Sequence, residues 1–558
     1  NLLKMKSKKL QAQKMRELAG PNDEADNYGN NNYKKQKKEG GQGKKIPVAK
    51  ETKEVESKKS FLDFKQVNKL YNQLMFKKET EGQSKEDIVN QIMKIVEPVM
   101  IKIVHKHDGC RILQGCLKHG SDEHRKTIIE PFMHSENFLD LLKSKYGHFL
   151  AVKFLKFLDK NQLETTISHI AKHYETLITQ FESAKVVERY TNKAVKKQKV
   201  DEALKKLITV KENDTSTHER LENAAMKITE REIFRFGANQ LVLAHALKIL
   251  IDLERNKVLE AVNNIAGNIC NKRAGATLVC QCLNYWDAKV KRNVLKNLKT
   301  PILEQLLEAD SFAFLVIIKI FKSVDDTVMV DKTILSVLRK NIDQIMQHSH
   351  NYEIFLALYD TKIDYLEKYI DIKDTHNTCK KDDLKRREEL IAYIQGDLVS
   401  YLSKNLNENL KHPNLSKLVY LVMKEIIATN DEKNLKFVET IVSEIVKDYD
   451  ACSKAGKENE SLITHPITHR LVKSFVIDYS TCPEDAKPFY EQNLQQLFDL
   501  IIREAAVLIN TKAIFVIIAF IEFTDFKDEV VRVLQGIKHA VKGSESQSGY
   551  SILKKYLQ

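Results

Sequence analysis

Apolar residues recur at intervals of three and four along most of this chain. In FLDFKQVNKLYNQLMFKK they fall at positions 61, 62, 64, 67, 70, 71, 74 and 75, the spacing of a single helix face. SKEDIVNQIMKIVEPVMIKIV continues the pattern, and Ser84 with its following acidic residues predicts a helix N-cap there. Downstream, helical segments alternate with short polar breaks, and no convincing run of period-two alternation predicts a strand. With 9 Pro and 18 Gly in 558 residues, there is little turn material for a hairpin-rich fold.

The helical segments repeat. HDGCRILQGCLKHG returns as SKYGHFLAVKFLKFL, then more weakly as FESAKVVERY, GANQLVLAHALKIL, RAGATLVCQCL, SFAFLVIIKIF, SHNYEIFLALY, NLSKLVYLVM, PITHRLVKSFV, NTKAIFVIIAF and QSGYSILKKYL. One residue of each serves as a ruler: Arg111, His148, Ala184, Gln240, Thr277, Phe314, Tyr352, Lys417, His469, Ala513 and Gly549. Successive intervals are 37, 36, 56, 37, 37, 38, 65, 52, 44 and 36 residues. The longer ones hold polar insertions near 211–223 and 374–389. The pattern predicts about eleven helical units. None can bury its apolar face alone, so neighbours must stack to complete a core.

Charge sharpens this reading. The net charge is +14, and residues 1–60 carry 16 Lys/Arg against 8 Asp/Glu. That segment, NNNYKKQKKEGGQGKK included, is polar and Gly-rich with no apolar period, and is expected to be a largely disordered basic tail. Its GGQGKK does not keep the spacing of a phosphate loop, because Lys38 stands where the first glycine is needed. A basic surplus attracts polyanions. The eight cysteines include no CxxC, and His105-x-His107 has no third ligand nearby, so no metal or other cofactor is expected. The longest apolar run, Ala513–Ile521, is too short to span a bilayer, and no membrane partner is expected. HExxH, GxSxG and nucleotide-loop patterns are missing. An enzyme with a small-molecule substrate is not expected.

A repeat of about 36 residues with small–Arg–x–x–Gln at the start of a helix resembles the Pumilio (PUF) family, and Cys110, Arg111 and Gln114 match residue by residue. The resemblance implies an all-α, right-handed superhelical solenoid, with Arg111 stacking on a base and Cys110 and Gln114 reading its edge. HDGCRILQ, CKKDDLKRREELI, HPITHRLVK and SQSGYSILKKYL further resemble the nucleolar Pumilio-like branch called Puf-A or penguin. That branch implies an L-shaped solenoid in the nucleolus or nucleus that binds RNA, or DNA, with little sequence preference. It also implies a role in maturing the large (60S) ribosomal subunit. Pre-rRNA and the ribosomal and assembly-factor proteins of a pre-60S particle would be its partners.

The expected layout is a tail over 1–60, three units over 61–210 and the remaining units over 211–558. Candidate RNA contacts are Cys110, Arg111, Gln114, His107, His148, Lys145, Lys153 and Tyr352. Most later units lack a reading trio. The second has Gly147 and Ala151, which offer no edge contact, and others present Ala276/Cys280 or Ala313/Ile317. Phosphate and shape contacts should therefore dominate. KKDDLKRREE is expected to be an exposed, mixed-charge helix. Two alternatives stay open: a HEAT- or armadillo-like protein-binding scaffold, and a sequence-specific mRNA-binding translational regulator.

Overall fold

The computed structural model describes residues 64–76, 84–193, 198–210, 214–348, 350–370, 378–537 and 548–557. The basic tail lies outside the described residues, which form one compact unit. They are α-helices joined by short turns, with no strand among them. The fold is an all-α solenoid of helical repeats.

Each repeat opens with the helix that carries the sequence motif. A second helix packs behind it, and in most units a short helix follows. The first unit runs His107–His119, Asp122–Ile129, Ser135–Lys143. A later one runs Arg273–Tyr285, Ala288–Leu298, Pro301–Leu307. All eleven ruler residues, Arg111 to Gly549, lie in the first turns of such a motif helix or at its N-cap. Motif helices stack on one another in order: His107–His119, Gly147–Phe154 and Phe181–Lys193 form one run. Gly237–Ala246, Arg273–Tyr285, Ala313–Ser323, Glu353–Tyr359, Pro413–Ala428, Thr468–Tyr479, Ile514–Phe523 and Ser548–Leu557 form another. Helix Phe64–Phe76 packs on His107–His119 as a preceding motif helix would.

Local chemistry explains why the motif repeats. Lys106 and Lys272 cap their helices with the same backbone angles, φ −99° and ψ 146°. Gly109 and Gly275 follow three residues later. A Cβ there would lie 2.2 Å from the Ile103 carbonyl oxygen or 1.8 Å from that of Ile269. Only glycine lets the preceding turn approach so closely. Ser84 forms the N-cap its sequence suggested, in a reciprocal box with Asp87, and Asp159 does the same with Gln162. Between helices, Ile112, Leu113, Leu150, Val186, Leu278, Ile317, Leu418 and Ile517 are fully buried. Each such side chain contributes about 1.5–3 kcal/mol.

The long intervals hold ordered structure. Asp214 caps helix Thr215–Glu230 through the Thr217 N–H. Asp382 caps the 22-residue helix Asp383–Lys404. That helix differs from the expected exposed one at Arg386, which is 1% exposed. Its guanidinium donates to the carbonyls of Phe321, Lys322 and Lys381 and to Asp325 and Asp383. It therefore ties this helix to the end of Ala313–Ser323. After Glu353–Tyr359, residues 360–370 form a non-helical strap. Asp364 pairs with Lys322 at 2.8 Å, and Tyr369 packs edge-on against Phe314, with ring centroids 5.3 Å apart.

Candidate nucleic-acid interface

The first motif helix presents a polar face. His107, Arg111 and Lys118 are exposed and Gln114 is half-buried. Arg111 lies over the Tyr71 ring of the preceding helix, 5.7 Å from its centroid. His107 bonds Asp108 at 2.9 Å and meets the Tyr146 ring edge-on. Cys110 is turned inward. Its thiol donates to the Tyr146 carbonyl at 3.0 Å and accepts from Gln114 Nε2 at 3.1 Å, and burial raises its pKa. This places Cys110 as a link between the first two units, with Gln114 committed to it.

The second unit divides the roles differently from the sequence expectation. His148 is buried, its Nδ1 against the Ser144 carbonyl, and burial lowers its pKa. The adjacent Phe149 is 41% exposed. Lys185 from the third motif helix sits over its ring at 4.8 Å. Lys145 is exposed over Tyr146, and Lys153 is half-buried on the same short helix as Phe149. Phe181 opens the third motif helix, 42% exposed, with Arg235 over it at 5.5 Å. The structure thus brings Arg111, His107, Lys145 and Tyr146 together at the first joints. It adds Tyr71, Phe149, Lys185, Phe181 and Arg235, which sequence reasoning missed. Their signal was an aromatic on one motif helix and a basic residue on or just before the next.

Tyr352 stands apart from this group. It is the N-cap of Glu353–Tyr359, half-buried, and its hydroxyl accepts from Asn414 at 2.7 Å.

Polar residues at the positions that would read base edges serve the fold. Ser183 donates to the Leu177 carbonyl at 2.6 Å, Asn239 to Ile178 at 3.0 Å, Asn351 to Leu306 at 3.0 Å and Thr468 to Leu410 at 2.9 Å. Each carbonyl belongs to the last turn of a short helix, where helical partners run out. All four donors are 1% exposed or less. A buried carbonyl without such a donor costs about 1–3 kcal/mol, so these side chains are not available to a base.

Among the described residues, no group of three His, Cys, Asp or Glu could hold a metal. No described helix is long and apolar enough to cross a membrane.

Residues 356–480 match the CPL (NUC119) domain. The chain is 22% identical over 438 residues to rat Pumilio homolog 3, covering 74% of this chain and 66% of that protein. It is 24% identical over 550 residues to Pumilio homology domain family member 6 of Saccharomyces cerevisiae, covering 90% and 82%. It therefore spans just under two thirds of the rat relative and most of the yeast one. The fold matches the crystal structure of human Puf-A with a TM-score of 0.64 at 17% identity, over 88% of this chain and 99% of that one. Human Puf-A in complex with DNA matches with a TM-score of 0.61 at 18% identity, over 89% and 99%.

Proposed function

We propose that this Pumilio-like chain, with its Puf-A fold and CPL domain, is a non-enzymatic RNA-binding factor in maturation of the large ribosomal subunit. It binds pre-rRNA through phosphate and shape contacts, largely without sequence preference. The observation that carries the binding mode is the inward commitment of the edge-reading positions. Cys110, Ser183, Asn239, Asn351 and Thr468 spend their hydrogen bonds on the protein. Arg111, Lys145, Lys185 and Arg235 remain at the first joints to meet phosphates. A code read base by base needs polar edges; a phosphate-dominated surface needs cations. The complex of human Puf-A with DNA supports a surface that tolerates either sugar.

The pre-60S assignment, and residence in the nucleolus, rest on the resemblance to the nucleolar Pumilio-like branch. Ribosomal and assembly-factor proteins are the partners this reading gives to the later units, whose motif helices Arg273–Tyr285 and Ala313–Ser323 are buried almost all round.

Titration of the purified chain with single-stranded RNAs of equal length tests the binding mode. Log affinity should fall linearly with log salt, by about 0.7 for each phosphate neutralised. Unrelated sequences should bind within about tenfold of one another. Salt-independent binding, or a gap of several orders of magnitude between sequences, would contradict it. Co-sedimentation of the tagged chain with pre-60S particles tests the assignment to ribosome assembly; sedimentation with free protein alone would contradict it.

A further inference from the structure

A cleft of about 270 Å³ lies between the motif helices Pro413–Ala428 and Thr468–Tyr479. Pro413, Ser416, Lys417 and Tyr420 form one wall, and Ile467, Arg470, Leu471 and Ser474 the other. Both walls keep the spacing of three and four residues that marks one helix face. Each therefore runs for about two turns, or about 10 Å. The whole cleft falls within residues 356–480, which match the CPL (NUC119) domain.

Some of the polar groups on these walls are already engaged. Lys417 pairs with Asp360 at 2.6 Å. The Tyr420 hydroxyl donates to Asp478 at 2.7 Å, and the same carboxylate pairs with Lys424 at 2.7 Å. Others have no partner. Arg470 is exposed at the rim, and among the described residues no carboxylate pairs with it. The charge around it is positive: burial first, then Arg470, Lys512 and Lys473, lower the pKa of the adjacent His469. Ser416 is 3% exposed, yet among the described residues its hydroxyl makes no hydrogen bond, and neither does that of Ser474. Helical serines commonly return the hydroxyl to the carbonyl one turn back, as Ser400 and Ser403 do at 2.8 Å. A buried hydroxyl that does not, and that lines a cleft, calls for a partner in that cleft.

We infer that this cleft docks a short acidic segment of a partner protein. An apolar side chain of that segment packs between Pro413, Ile467 and Leu471, a carboxylate meets the Arg470 guanidinium, and carbonyls accept from Ser416 and Ser474. Walls of about 10 Å match about three extended residues at about 3.3 Å each. The volume lies below the range of pockets that enclose small ligands, which suits a peptide anchor. Charge argues against a nucleic-acid strand here. Lys417 and Lys424, the cations that could follow a chain of phosphates, are neutralised by Asp360 and Asp478, whose carboxylates add negative charge beside it. The Tyr420 ring is half-buried, with its hydroxyl held. This inference rests on the proposed assignment of protein partners to the later units and adds the place and the chemistry of the contact.

Random peptides displayed on phage would be selected on the purified full chain, and a synthetic copy of an enriched peptide titrated by fluorescence anisotropy. Enriched sequences should set Asp or Glu beside an aliphatic or aromatic residue. Replacing those acids in the peptide by Asn or Gln should weaken binding about tenfold, and Arg470→Glu in the chain should do the same. Ser474→Phe, which fills the cleft, should abolish peptide binding. Both variants should keep wild-type affinity for a single-stranded RNA, which also reports an intact fold. No enrichment, or enrichment of basic or neutral peptides, would overturn the inference. So would acidic peptides whose binding ignores both substitutions, and so would a loss of RNA affinity in Arg470→Glu as large as its loss of peptide affinity. Should Ser474→Phe fail to fold, a double-mutant cycle between Arg470→Glu and the neutral peptide decides: the two losses should be coupled, and additive losses overturn the inference. Co-sedimentation with pre-60S particles separates the two readings. Co-sedimentation without Arg470-dependent peptide binding overturns the cleft alone, and such binding without co-sedimentation overturns the ribosome reading alone.

Discussion

The same chemical pair, a cation over an aromatic ring, sits in two different settings in this molecule. In the first units, Arg111, Lys185 and Arg235 lie over Tyr71, Phe149 and Phe181 with no carboxylate partner among the described residues. At the strap, Lys368 lies over Tyr369 and Lys417 over Tyr365. Both are neutralised: Lys368 by buried Glu353 at 2.9 Å, and Lys417 by Asp360 at 2.6 Å. The motif helices differ in the same sense. His107–His119 keeps an open polar face, whereas in Ala313–Ser323 every residue but Lys322 is buried. Phe314, at a ruler position, is 1% exposed, with Tyr369 against one side and His350 stacked on another. A repeat fold thus leaves its motif face open where charge is unbalanced, and closes it with its own chain where charge is balanced.

Five changes would break or sharpen that contrast. The largest effect should come from Arg386→Met, which strips donors from three carbonyls and removes the ion pair with Asp325. Stability should fall by about 3 kcal/mol or more, read as a lower denaturation midpoint, while RNA affinity below that midpoint stays unchanged. Loss of RNA binding in the folded variant would show that the closed region contributes to binding. Next, Lys185→Glu with Arg235→Glu should weaken RNA binding about a hundredfold and flatten the salt slope by about 0.7 for each phosphate contact removed. Lys368→Glu with Lys417→Glu, in the closed region, should lower stability and leave the salt slope intact. Equal slopes for the two double variants would erase the contrast.

Arg111→Ala with Gln114→Ala should cost about five- to tenfold in RNA affinity, with little change in melting midpoint, because Arg111 is exposed. Unchanged affinity would remove the first unit from the interface. The smallest effect concerns pH. Burial alone would raise the Asp360 pKa, but the Lys417 ammonium and the Lys362 N–H outweigh it and hold the carboxyl below its usual range. A depressed carboxyl stabilises the fold above its unfolded pKa of about 3.9, and that contribution is lost as pH falls through the folded value. Hydrogen exchange in residues 360–370 should therefore be steady, after correction for intrinsic rates, from pH 8 to 5. Asp360→Asn should raise it throughout. A rise beginning near pH 6 in the wild type would assign the strap's hold to another group.

The repeat was legible in the sequence because its cause is local and strict. Lys106–Gly109 and Lys272–Gly275 recreate one cap and one close backbone approach, so the motif reappears at a period and each ruler residue falls in the first turns of a helix or at its N-cap. What the motif side chains do was less legible. Cys110 is small and polarisable, and only the Tyr146 carbonyl 36 residues away decides that its thiol points inward. His148 and Phe149 are neighbours at a helix start, and either could face out; packing against the third motif helix buries the histidine and leaves the phenyl under Lys185. Arg386 reads as one more charge in a solvated helix until the end of Ala313–Ser323 supplies its carbonyls. The strap falls in the 65-residue interval after Tyr352, where periodicity is lost and only tertiary contacts show that Tyr369 covers Phe314.

The most direct test is photo-crosslinking of the full chain to a 4-thiouridine-substituted single strand at moderate salt, with the modified peptides identified by mass spectrometry. Crosslinks should concentrate on Phe64–Phe76, His107–His119, Gly147–Phe154, Phe181–Lys193 and Arg235, and spare Phe314 and Tyr369. Crosslinks concentrated on Ala313–Ser323 and the strap, with the first four helices spared, would contradict the account.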